Sequence, residues 1–353
     1  MTSPDLTPET PGAPPTAPGP TTEPVRLVAR GRDDLLAMVP TMLGFVPAES
    51  VTMLTFSAAR PFHARVDLPR RQDEEVVVAL LLEPALRHRV GRVAFVVHSR
   101  RGDGFARFGR RLVDAFLDAG IGVVEVLLAD GDRVWCLDCD EPSAGRDRRC
   151  AGHPYDVSAH PFVAHAVLEG RVVHASREEL ASTLEPDAAA RTSYRRVAEA
   201  AARHGARLAP TAHGREASWL RRTVRRHLDL GTRPDDMRLG RVLADLAEVG
   251  LRDSCWERMD REDARAQVEL WRDVVRRAPD ALVGPAAGVL AYAAWLTGHG
   301  ALAWCAVDRG RAHAPELDLL VFVARMLEQA VPPDEGDGDR LSADRAPGGP
   351  QVA

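Results

Sequence analysis

The hydrophobic period changes near residue 159, and no other feature constrains the fold as strongly. Before that point, apolar runs of strand length alternate with amphipathic stretches of helical period. After it the strand signal fades, and helical spacing continues over 176–330. Such a chain builds a sheet covered by helices first and a set of packed helices second. The sequence therefore predicts an α/β N-terminal domain with a mixed sheet, followed by an all-α C-terminal domain. It divides into a Pro/Thr-rich leader at 1–24, an α/β domain at 25–158, a helical domain at 159–331 and an acidic tail at 332–353. Leader and tail hold too little apolar surface to order themselves and are expected to be disordered.

Within the first half, strands are predicted at 25–29, 50–57, 62–68, 92–98, 121–128 and 133–138. The 92–98 run (RVAFVVH) is almost continuously apolar, as a strand buried on both faces should be. Asp130-Gly131 signals a hairpin turn between the last two strands. Helices are predicted from Asp33-Asp34 to Gly44, over 73–88, and from Phe105 to Gly120, the last with Phe108, Leu112 and Phe116 on one face. In the second half, helical spacing is clearest at 218–229, 237–249, 262–277, 285–297 and 300–313.

Composition then removes whole classes of chemistry. All 46 Lys and Arg residues are Arg, and neither Lys nor Asn occurs. A phosphate-binding loop of the G-x-x-x-x-G-K type, a Schiff-base lysine and a Cys-His-Asn triad are all excluded. The absence of Asn beside a single Ile, Ile121, makes the Arg usage look like coding bias rather than a signal for a partner. There is no apolar run of 18 residues, so no membrane span is expected. Five cysteines in a chain of this length fit a reducing, cytoplasmic setting better than a disulfide framework. The formal net charge is −5, and leader and tail each carry −3 of it, so the folded body is close to neutral.

Three clusters can carry chemistry. Cys136-Leu-Asp-Cys139 and Cys150-Ala-Gly-His153 form two half-sites across a polar loop within 136–153, a spacing that suits a structural, tetrahedral zinc ion. The alternative is a set of incidental thiols beside a surface histidine. His98, Ser99, Arg100 and Arg101 end the buried strand and precede a helix, where open α/β sheets hold anionic ligands. Here the alternative is a polar turn. Residues 191–226 hold ten Arg against Glu199 and Glu216, a stripe that either meets nucleic-acid phosphates or simply faces water.

The order of segments resembles a known family. It opens with Leu43-Gly44-Phe45-x-Pro47-x-x-Ser50-Val51 and continues with Ala64-Arg65-Val66-Asp67-Leu68-Pro69 and with Trp135 before a cysteine-bearing loop. Leu270-Trp271-Arg272-Asp273-Val274-Val275 and Leu296-x-Gly298-x-Gly300-Ala301-Leu302-Ala303-Trp304 follow. Together these are similar to the actinobacterial domain-of-unknown-function family 4192, over roughly residues 25–331. The resemblance implies a shared architecture and no assigned activity. Within 285–315, Leu290, Ala291, Gly298, Ala303 and Pro315 also resemble one tetratricopeptide unit, a helical hairpin. The sequence thus points first to a non-enzymatic binding or regulatory protein whose helical domain meets a protein partner. The second reading is an enzyme or binding protein for an anionic small molecule at residues 98–101.

Overall fold

The computed structural model describes residues 29–58, 62–101, 105–137, 152–168 and 170–333. The whole leader, most of the predicted strand at 25–29 and most of the tail lie outside them. Six strands form one mixed sheet: β1 (Ser50–Phe56), β2 (His63–Asp67), β3 (Arg92–His98), β4 (Gly122–Ala129), β5 (Arg133–Cys136) and β6 (His153–Pro154). Their order is β2-β1-β3-β4-β5-β6. Among the described strands, β3 and β4 alone pair in parallel, and a parallel pair needs a long crossover. The helix α3 (Phe105–Asp118) supplies it; α1 (Arg32–Leu43) and α2 (Glu74–Arg87) complete this half.

Strand alternation sorts the sheet into two faces. Val51, Met53, Val93, Phe95, Val97, Val126 and Leu128 pack with α2 and α3. Leu54, Ala94, Val96, Leu127 and Ala129 pack with Leu35, Leu36 and Val39 of α1. Both faces of β3 are thus covered, which is why its sequence reads as an unbroken apolar run. The β4–β5 turn forms as expected: Asp130 Oδ1 accepts from the backbone N–H of Asp132 and Arg133. The two-residue strand β6 carried no sequence signal, being too short for any period to show.

The second half is helical: α4 (Pro161–Leu168), α5 (Arg177–Ser182), α6 (Ala188–Gly205), α7 (His213–Leu230), α8 (Asp236–Ala247), α9 (Val249–Trp256), α10 (Arg261–Arg277), α11 (Val283–Leu296), α12 (Gly300–Arg311) and α13 (Asp318–Glu328). The run expected at 237–249 stops at Glu248, whose extended backbone separates α8 from α9. The predicted hairpin at 285–315 is present as α11 and α12, turning at Gly298 with φ +79°. Thirteen of the 14 residues of α11 are buried, so it is the axis of this half rather than an outer layer.

Several links join the halves, among them one through Phe45 and one through Gln329. Gly44 ends α1 in the left-handed conformation, and Phe45 then pairs with His174 in an isolated bridge. The Phe45 side chain buries in the helical core beside Leu180 and Leu184. At the other end of the chain, the Gln329 carbonyl accepts from Arg87 Nη1 at the end of α2, at 3.2 Å.

Candidate ligand site at the end of the third strand

The predicted loop divides between the two sides of the sheet, because consecutive extended residues point in opposite directions. Ser99 Oγ donates to Glu49 Oε1 at 3.1 Å, the Arg100 backbone N–H reaches the same oxygen at 3.3 Å, and Arg101 Nε lies 3.2 Å from Glu49 Oε2. At this loop, where an anionic ligand is expected, these groups hold the Glu49 carboxylate of the chain itself. Glu49 takes φ +43° to provide it, a conformation that strains a side-chain-bearing residue by about 1 kcal/mol. Arg100 and Arg101 are otherwise exposed.

His98 belongs to a different group. The register places Ser50 between Asp67 of β2 and His98 of β3, and Thr52 between Arg65 and Val96. Ser50, Thr52, Arg65, Asp67 and His98 therefore share one face, with directly opposed Cβ atoms about 5 Å apart. Ser50, Thr52 and His98 are buried. Arg65 Nη1 pairs with Asp67 at 2.8 Å, Nη2 reaches the Ala48 carbonyl at 3.3 Å, and the guanidinium stands 5.8 Å from the centre of the Phe45 ring.

Four polar atoms of this cluster have no partner among the described residues: Ser50 Oγ, Thr52 Oγ1, Arg65 Nε and His98 Nδ1. Each such atom costs about 1–3 kcal/mol when buried unpaired, so four on neighbouring residues form a concentrated deficit. Burial holds the His98 pKa down to about 4, and the positive charge of Arg65 adds to the effect against a hydrogen bond to Val96. A neutral imidazole, two hydroxyls and one guanidinium N–H can all donate, and together they fit an anionic acceptor. The signal for Ser50 and Thr52 is two hydroxyls at period 2 in a strand whose third hydroxyl, Thr55, is out of that period. Arg65 and Glu49 could not be assigned without the strand register.

Cys136 is buried on β5 and His153 is exposed on β6; the pairing of Val134 with His153 makes the two diagonal neighbours at the base of their loop. Cys139 and Cys150 lie outside the described residues. In the Arg-rich segment, Arg221, Arg222, Arg225 and Arg226 are exposed on α7, opposite the buried Leu220, Thr223 and His227. Arg196 pairs with Asp236 and Arg225 with Asp229, so part of the stripe is neutralised internally. His160 precedes α4 and turns to Asp34 of α1, 3.1 Å away. Among the described residues, no helix is long and apolar enough to cross a membrane.

The family model for a domain of unknown function, DUF4192, matches residues 33–334, which takes in both halves of the fold. The chain belongs to DUF4192. No curated protein and no solved structure matches it. The DUF4192 match runs unbroken through the sheet, the Phe45 link and α11, so the polar face of β1–β3 lies inside the family's own domain.

Proposed function

We propose that this DUF4192 protein binds a small molecule bearing a carboxylate or phosphate at the polar face formed by Ser50, Thr52, Arg65 and His98. The observation that carries the reading is the set of four buried, unpartnered polar atoms on adjacent strands. An anion accepting from Arg65 Nε, both hydroxyls and the imidazole would offset that deficit. The neighbouring grip on Glu49 by Ser99, Arg100 and Arg101 supports the same chemistry, since this end of the sheet already holds a carboxylate. With its pKa near 4, His98 is a weak base at neutral pH, which favours binding over proton abstraction. A partner surface over 290–325 has less support: α11 is covered all round, and the exposed large apolar side chains, such as Val76, Leu80 and Leu168, lie elsewhere.

Thermal melting with acetate, succinate, inorganic phosphate and a sugar phosphate, followed by calorimetric titration of the best binder, tests the proposal. A ligand that binds the folded state alone raises the melting temperature. The rise is expected to vanish in a Ser50→Ala, Thr52→Val double variant and to persist in Arg101→Ala. Failure of every probe to shift melting, or loss of the shift in Arg101→Ala alone, would refute it.

A further inference from the structure

The helical half carries a second polar cluster, on elements that take no part in the site above. His204 near the end of α6, Glu216 in the first turn of α7 and Asp245 near the end of α8 bring one donor atom each within 4.8 Å of one another. His204 Nε2 lies 2.7 Å from Asp245 Oδ1 and 3.8 Å from Glu216 Oε2. We propose that these three residues form a site for a divalent transition-metal ion that fastens α6, α7 and α8 together.

An ordinary histidine–aspartate pair accounts for only part of this arrangement. Asp245 is completely buried, and its second oxygen, Oδ2, has no partner among the described residues. A third donor, Glu216 Oε2 on another helix, approaches the same nitrogen while accepting from Nε and Nη2 of Arg241. One imidazole nitrogen and two carboxylates suit borderline cations such as zinc, cobalt or iron(II), with water completing the coordination. In this arrangement the metal takes the place of the Nε2 proton between His204 and the two carboxylates, as metal binding to histidine requires.

The frame around the cluster is rigid where a metal site needs it. A Cβ on Gly240 of α8 would meet Ala200 Cβ at 2.5 Å and the Val197 carbonyl at 2.6 Å, so α8 lies directly on the backbone of α6. Ala200 is one helical turn before His204, and the close approach fixes the distance between His204 and Asp245. Glu216 is held in turn by a cation of α8. Arg241 Nη2 pairs with Glu216 Oε2 at 2.7 Å, while the guanidinium stacks 3.7 Å from the centre of the Trp219 ring, one turn along α7. Such outer partners orient ligands in metal sites generally.

The experiment is a cobalt(II) titration of metal-free, full-length protein carrying Cys139→Ser, so that the thiolate loop does not compete. One cobalt ion per chain is expected, with visible absorption bands and no sulfur charge-transfer band. Adding Glu216→Gln should weaken the affinity about tenfold or more and leave the circular dichroism of the metal-free protein unchanged. Absence of cobalt binding, or an affinity unaltered by Glu216→Gln, would overturn the assignment. If Glu216→Gln does not fold, X-ray absorption of the cobalt-loaded Cys139→Ser protein decides the question. Imidazole scattering with oxygen neighbours supports the site, and a shell without imidazole removes it.

Discussion

His98 gives the sheet a specific acid sensitivity. The unfolded chain takes up a proton on this imidazole near pH 6.5, whereas the folded chain accepts it only near pH 4. The unfolded state therefore binds more protons between these values, and stability falls as pH drops from about 6.5 towards 4. The loss amounts to on the order of 3 kcal/mol. His63, held to about 4 by burial alone, acts in the same window. Urea unfolding at several pH values is expected to show this slope, and His98→Gln to reduce it while His63 keeps the remainder. An equally steep slope in His98→Gln would contradict the assignment. The hydroxyls offer a complementary measurement. Thr52→Val removes a buried, unpaired oxygen at nearly constant shape, so stability without ligand should hold or rise by about 1 kcal/mol.

At the scale of elements, the sequence was legible where a period persists over a whole helix or strand. The apolar run of β3, the amphipathic α3 and the Asp130-Gly131 turn were all readable, because each announces itself within its own residues. The break at Glu248 was not, since the apolar spacing continues across it and only an extended backbone divides α8 from α9. The close packing of α8 on α6 was equally hidden, because it depends on which glycine meets which neighbour. Gly240→Ala should therefore cost about 1–3 kcal/mol by overpacking, measured as a lower denaturation midpoint. The β5–β6 loop yields a separate prediction. Cys136 and His153 stand at its base on paired strands, and zinc analysis of chelator-treated, reloaded protein should show one less equivalent in Cys139→Ser than in the parent. Equal zinc in the two proteins would reduce the cysteines to incidental thiols.

Across the whole molecule, fold class was far easier to read than function. The change of period near residue 159 separates sheet from helices without any knowledge of contacts. A binding face, in contrast, is assembled from strands that are distant in sequence: Ser50, Arg65 and His98 become neighbours only through antiparallel pairing. The same holds for His204, Glu216 and Asp245, which sit on three helices and share no motif spacing. His98 was singled out because it ends a buried strand. The hydroxyls of Ser50 and Thr52 are readable at period 2, but nothing in 50–67 announces that they and Arg65 will face His98.

The Phe45 link has a consequence for how the chain comes apart. Its ring is buried among helices, yet it lies only five residues before the start of β1, which pairs antiparallel with both its neighbours. Loosening either half alone would pull that ring into water, so the two should melt in a single cooperative event. Phe45→Ala should lower the barrier between them, costing about 3–5 kcal/mol and splitting one calorimetric peak into two. The aromatic ring then acts as a clutch: while it is engaged, the sheet and the helices fold, and fail, as one body.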